Sequence, residues 1–280
     1  MQLLGPAGPE TLARIVEVPQ VQVGYLWAFR QRDSAHLPEE VVRLLTACYF
    51  STITRLDREI ARLLAALDDS VVTENTRIIY TADHGYSHGN HFLMGLFNLF
   101  EHTVGVPLII AGPDVPAGHV VDQLTSHVDL FPTILESLGV AAACDAGALP
   151  GNSLWPALNG QESERVTFVE YHALGSKTGS YMLRHRDQKL IYHVGMPSQL
   201  FDLSVDPDET NDLALQAQGQ VRVATLEKQL RRIVSPEMAN ESAKDAQRAR
   251  IAELGGIDEV LASRTGFVYS PPPGADWRKM

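Results

Sequence analysis

The residues with the most to offer chemically lie in one stretch, residues 76–111, T-R-I-I-Y-T-A-D-H-G-Y-S-H-G-N-H-F-L-M-G-L-F-N-L-F-E-H-T-V-G-V-P-L-I-I-A. Asp83 and His84 are adjacent, and Gly85 follows. A carboxylate and a neutral imidazole are good ligands for a divalent cation, and neighbouring positions can both reach one ion through a bend at Gly85. On spacing alone, an ordinary turn with a surface histidine is the commoner outcome, because short motifs recur by chance. His84, His88 and His91 also suggest a three-histidine zinc site. That spacing puts them on one face only in a helix, and Gly85, Gly89 and Asn90 argue for a loop instead.

The elements that must position these residues are legible around them. Arg77 to Thr81 is a short, β-branched apolar run and predicts a buried strand. Asp83 then stands where a parallel strand delivers its residues to a ligand crevice. Val106 to Ala111, closed by Gly112-Pro113, predicts a neighbouring strand. Upstream, Pro38-Glu39-Glu40 opens a long helix running to Leu67, with Pro and acids in its first turn. Its apolar residues follow the helical period and predict a face packed on the sheet. Cys48 lies on that stripe and reads as a small packed residue rather than a reactive thiol. Downstream, Asp114 to Gly118 is a turn, and Asp129 to Leu138 is a helix ending at Gly139. His127 and Asp129 are expected to secure its start.

A loop over 141–150 precedes a change of texture at about residue 160. Strand-like runs follow at Val166–Tyr171, Ser180–Arg184, Lys189–His193 and Gln199–Leu203, which predict a small antiparallel sheet. Helical patterns occupy Asp208–Leu215, Val221–Ile233, Ser242–Leu254 and Ile257–Ala262, besides a short one near Glu10–Val18. The expected division is therefore 1–160, an α/β part, and 161–280, a smaller part ending in an extended S-P-P-P-G-A-D-W tail.

Several of these segments, taken in order, resemble the sulfatase family of the alkaline phosphatase superfamily, which includes arylsulfatases, choline-sulfatases and phosphonate monoester hydrolases. T-A-D-H-G with Gly89, His91, Gly95, Glu101 and V-P-L-I-I is similar to the family's T-S-D-H-G-x-x-x-G-x-H-x-x-x-G-K-x-x-x-x-E-x-x-x-R-V-P-L-I. The resemblance continues through Ser126–Val140, Gly151–Gly160 and Leu200–Ala214. It implies an α/β fold: the C-terminal part of an alkaline-phosphatase-like α/β/α sandwich, plus a small α+β subdomain with an antiparallel sheet. It also implies hydrolysis of sulfate, phosphate or phosphonate monoesters with a divalent cation, calcium first and manganese second. In the family an Asp pair from an N-terminal strand completes the metal shell, and Asp83 and His84 match the other pair. His91 matches a histidine near the active centre. Glu170-Tyr171-His172 resembles a segment whose side chains reach back to the substrate, so His91 and His172 are candidate substrate contacts. His172 reads equally well as a plain histidine at a strand end.

The chain departs from the pattern in places that matter for turnover. The family's nucleophile is a cysteine converted to formylglycine in C-x-P-S-R or C-x-A-x-R, and neither Cys48 nor Cys144 has that setting. Ser51 to Arg55 is the nearest serine version and lies within the predicted long helix. The N-terminal Asp-Asp strand has no counterpart. The family's sulfate-binding Lys falls at Leu96, which offers an anion neither charge nor a hydrogen bond, and the Arg before V-P-L-I falls at Gly105. Lys177, Lys189 and His91 are the candidates to compensate. The expectation is a sulfatase-like hydrolase, incomplete or inactive as this chain alone. A non-catalytic binding or scaffold protein and a phosphoesterase with another nucleophile are the alternatives.

Bulk properties narrow the partners. A net charge of −11 over 280 residues argues against nucleic acid, which needs a basic face. It leaves a small anionic ester open as substrate, since a bound cation can dominate a local field. No apolar run approaches the roughly 20 residues that span a bilayer, so no membrane partner is expected. The opening M-Q-L-L-G-P-A-G-P-E has neither a basic start nor a long apolar core, and the two cysteines are far apart. These point to a cytoplasmic protein without disulfides. The C-terminal tail makes a homo-oligomer the expected assembly.

Overall fold

A computed structural model describes residues 38–96, 98–140, 150–172, 176, 178–256 and 258–259. The expected 10–18 helix, Cys144, Lys177 and the extended tail, with any oligomer contact it makes, lie outside them. Backbone contacts divide the chain into two compact units, Met1–Val234 and Ser235–Met280. The boundary expected near residue 160 falls inside the first.

The first unit opens with α1, Glu39–Asp68, which starts after Pro38 with Glu39 and Glu40 in its first turn. Acids there favour the positive end of the helix dipole. The sequence leads one to expect its apolar stripe to be packed on a sheet, and the structure corrects this. Thr46 is its one buried residue, and Cys48 is exposed rather than packed. Tyr49 is an exception in kind: it stacks on Tyr86 and meets the His88 ring at 4.2 Å.

Strand β1, Ile78–Thr81, pairs with β4, Leu108–Ala111. The two are antiparallel, with Ile78 opposite Ala111 and Thr81 opposite Leu108, so the parallel arrangement expected for this pair does not occur. The reason lies in the connection. Gly85 N–H donates to the Thr103 carbonyl at 2.7 Å, so the chain leaves β1 and returns to β4 at the same end. Within that connection lie the two-residue strands β2, Ser87–His88, and β3, Met94–Gly95, which pair with each other, and then the single-turn helix α2, Glu101–Val104.

Helix α3, Leu130–Ser137, follows a 3₁₀ turn whose start carries a capping box: the Asp129 carboxylate accepts from Ser126 N–H at 2.8 Å. Asp129 is fully buried and takes both guanidinium nitrogens of Arg165, at 2.7 and 2.9 Å. His127 holds the other side, its Nε2 2.8 Å from the Ala82 carbonyl. Both residues thus serve the helix start, as expected from sequence. Helix α4, Trp155–Leu158, then leads into the sheet.

That sheet is a four-stranded antiparallel meander: β5 Val166–Tyr171, β6 Ser180–His185, β7 Gln188–His193 and β8 Gln199–Asp202, in that order. Each strand lies within a residue or two of its expected place. Leu93, Leu99 and Phe100 from the β3–α2 segment pack with Met182, Ile191 and Phe201 of the sheet into one core. The helix expected over 208–215 is instead a turn followed by a 3₁₀ helix at Leu213–Leu215. The Asp206 carboxylate accepts from Thr210 and Asn211 N–H, Asp212 caps Ala214, and Glu209 takes a left-handed φ of 54°. Such side-chain bonds offer the backbone an alternative to helix. Helix α5, Ala217–Ile233, closes the unit.

The second unit holds α6, Pro236–Glu253, with proline at its first position and a largely polar surface. Among the described residues no helix is long and apolar enough to cross a membrane.

Candidate functional site

Asp83 and His84 stand just beyond the end of β1, on a bend fixed by Gly85. A Cβ at Gly85 would lie 2.1 Å from the His102 carbonyl oxygen, so only glycine lets the two segments approach this closely. The bend presents the pair outward: the Asp83 side chain is 86% exposed and that of His84 40%.

The geometry of the pair suits a cation. Asp83 Oδ1 accepts from its neighbour's backbone N–H at 2.9 Å, which fixes the carboxylate and leaves Oδ2 open. His84 Nδ1 lies 2.9 Å from the Gly85 carbonyl, an acceptor, so the ring proton sits on Nδ1 and the Nε2 lone pair is free. Metal-ligating histidines are oriented in this way, with the second ring nitrogen donating to a backbone carbonyl. Nε2 and Oδ2 then converge at 3.5 Å. Ligand bonds of roughly 2.0–2.4 Å to one divalent ion span such a gap at an ordinary angle. The donor set fits a divalent cation, and supplies two ligands of its shell.

His91 belongs elsewhere. Its ring stacks on Phe100 at 3.9 Å and lies parallel to the His102 ring. His91, His102 and Glu209 form a cluster whose possible ligand atoms all lie within 4.8 Å of one another. Burial lowers the pKa of His91 to about 4, with Lys189 adding to the effect, and that of His102 to about 3. Both rings are therefore neutral at pH 7. Burial raises the pKa of the Glu209 carboxyl, against the opposing pull of Lys189.

Lys189 decides what this cluster does. It is fully buried, 2.7 Å from Glu209 Oε1 and 3.0 Å from Glu101 Oε1. Glu209 Oε2 accepts from Glu101 N–H at 2.6 Å, and Arg184 pairs with Glu101 at 2.9 Å. Two carboxylates thus meet two cations, and an ammonium already fills the place a metal would take beside Glu209. The same commitment removes Lys189 from the list of residues able to replace the family's sulfate-binding lysine. Sequence reading missed His102 and Glu209 as partners of His91, because they lie 11 and 118 positions away in sequence and only the fold joins them.

The three histidines of the loop do not converge. Tyr49 and Tyr86 flank His88, whose imidazole burial holds below its usual pKa. His172, at the end of β5, sits 3.5 Å from Glu170 Oε2 and edge-on to Tyr181.

Comparison with known proteins places this arrangement. The Sulfatase family model matches residues 19–140, and the model of the C-terminal part of N-sulphoglucosamine sulphohydrolase matches residues 89–235. Arylsulfatase K of Danio rerio is 31% identical over 271 residues, 92% of this chain and 50% of that protein. Choline-sulfatase of Rhizobium meliloti (strain 1021) is 35% identical over 189 residues, 67% of this chain and 36% of that protein. The solved structure of a phosphonate monoester hydrolase from Silicibacter pomeroyi superposes with a TM-score of 0.69 at 25% identity, covering 85% of this chain and 51% of that one. The chain spans about half the length of the relatives it matches most fully. Its α/β fold is that of the alkaline-phosphatase-like sulfatases, and the chain belongs to the sulfatase family of hydrolases.

Proposed function

We propose that this chain is the cation-presenting half of a hydrolase acting on small sulfate, phosphate or phosphonate monoesters, and that it does not turn substrate over alone. The convergence of His84 Nε2 and Asp83 Oδ2 at 3.5 Å, with the imidazole proton held by Gly85, carries this reading. Asp83 and His84 would hold a divalent cation, calcium first and manganese second, which would supply positive charge to the anionic ester oxygens and polarise the ester bond. His172 and His91 are the side chains assigned to contact the ester. Leu96 in place of a lysine leaves the anion less neutralised here than in the family pattern. Lack of a formylglycine cysteine motif in the 280 residues is the ground for expecting no turnover. The acidic net charge and the absence of a long apolar run support a cytoplasmic protein without nucleic-acid or membrane partners.

Calorimetric titration with calcium and manganese tests the reading. Weak binding, abolished by Asp83→Ala with no change in melting temperature, is expected, because two ligands leave most of a calcium shell to water. Binding that survives Asp83→Ala would remove the site. Turnover of 4-nitrophenyl sulfate or phosphate by the chain alone would place a nucleophile within it.

A further inference from the structure

The bend that carries Asp83 and His84 is held at both of its ends by segments remote in sequence. At the far end, Gly85 N–H donates to the Thr103 carbonyl at 2.7 Å. At the near end, the Ala82 carbonyl accepts from His127 Nε2 at 2.8 Å, across 45 positions. A carbonyl can only accept, so Nε2 carries the ring proton in this contact. The Thr81 hydroxyl reaches the same oxygen at 3.4 Å, near the limit for a hydrogen bond, and offers little in its place. Between these two points the ligand pair is exposed, and its side chains bond only to each other and to the adjoining backbone. Packing therefore does not place them. His127 itself stands on a firm support. The cap of its 3₁₀ turn is made by Ser126 and Asp129, and the buried Asp129 carboxylate also accepts from Asn152 N–H at 2.8 Å and from both Arg165 guanidinium nitrogens. The His127 ring takes no part in those bonds, and its own bond goes to the end of β1.

We infer that His127 is a positioning residue for the cation site: its bond to Ala82 anchors the exit of β1 to the Asp129 block and so fixes how Asp83 Oδ2 and His84 Nε2 converge. Two exposed ligands bind weakly if their backbone must be ordered on each encounter, and a backbone already fixed removes that cost. Hydrogen bonds outside the ligand shell orient ligands in this way at metal sites generally. His127 acts through the backbone and not as a third ligand. Among the described residues, its ring nitrogens and the donor atoms of the pair do not gather within 4.8 Å of one another. The inference rests on the cation reading above for what the bend is for, and on the His127–Ala82 bond for the clamp.

The test titrates manganese into the full chain, reading the free ion by electron paramagnetic resonance, and follows amide hydrogen exchange over residues 82–86 in the metal-free chain. The unaltered chain is compared with His127→Ala, His127→Gln and Ser126→Ala. His127→Ala should weaken manganese binding about fivefold, the scale of one neutral hydrogen bond, and should speed exchange at the His84 and Gly85 amides. His127→Gln, whose amide nitrogen also donates, should restore most of both. Ser126→Ala removes the hydroxyl from the capping box, so it should lower the melting temperature with neither effect. If His127→Ala behaves as Ser126→Ala does, the histidine serves only the helix start and the inference is overturned. A loss of binding that glutamine leaves in place makes the imidazole a direct ligand and overturns it too. Failure of the cation reading is told apart by the unaltered chain. If that chain binds no manganese, the cation site falls and exchange alone decides the clamp: faster exchange in His127→Ala, reversed by glutamine, keeps it, and unchanged exchange removes it.

Discussion

The sheet β5–β8 and the α1–β1–β4 region are built from similarly apolar sequence, yet one is closed and the other open. In the sheet, Leu183, Leu190 and Leu200 are fully buried, and a balanced set of charges lies beside them, with Lys189 and Glu209 buried and Arg184 and Glu101 partly exposed. Around β1, residues of the same types lie on the surface, and the Asp83–His84 pair just beyond the strand end faces outward. Buried contacts are therefore concentrated in one region, and the proposed cation ligands stand at the edge of the other.

Acidification should break the contrast most, because it acts on the closed region. His91, His102 and His193 have pKa values of about 4, 3 and 4 in the folded state, in each case chiefly through burial. In the unfolded chain they titrate near 6.5, so between that pH and about 4 the unfolded state binds more protons and stability falls as pH falls. Each imidazole contributes at most about 2 kcal/mol of loss between pH 7 and 5 by this linkage. Urea denaturation at the two pH values measures it, and a flat profile would mean that the rings are solvated.

Lys189→Met comes next. Removing the buried ammonium leaves Glu101 and Glu209 facing each other with Arg184 alone, a change that costs about 3–5 kcal/mol when one partner of a buried pair is lost. The same denaturation experiment reads it. If the variant loses less than about 1 kcal/mol, water must already reach the cluster and the region is not closed.

How much of this was legible in the sequence divides along the same line. The four strands β5–β8 were readable because each is a short apolar run between turn residues, a local signal. Asp83 and His84 were readable as a pair because adjacency and the Gly85 bend are also local. Three features were not. The antiparallel sense of β1 and β4 depends on the Gly85–Thr103 bond, which closes a loop whose ends look unrelated in sequence. The exposure of the α1 stripe, and with it that of Cys48, could not be read, since periodicity says which residues share a face and not whether anything covers it. The His91–His102–Glu209 grouping needs the turn at 206–212, where Asp206 and Asp212 draw the backbone out of the helix its composition suggests.

Gly85→Ala probes the joint between the two regions. The new Cβ would meet the His102 carbonyl oxygen at 2.1 Å, and that backbone belongs to the segment packed on the sheet. A loss of about 1–3 kcal/mol is expected, within the usual range for strain at a special backbone position. Calcium binding should disappear with it, because His84 is oriented by the carbonyl of Gly85 itself. Retained binding with lowered stability would separate the bend from the ligand geometry.

The smallest expected effect sharpens the comparison further. Ile53→Ala on α1 and Leu200→Ala on β8 remove similar amounts of hydrocarbon. The leucine is fully buried, so its loss costs a transfer term and a cavity term, about 2–5 kcal/mol. The isoleucine has 44% of its surface in water and no enclosing wall to leave a cavity in. Surface changes of this kind stay within about 0.5 kcal/mol, and alanine's better helix propensity offsets part of that. The ratio of the two losses, read in the chain alone, measures how open the α1 face is in solution.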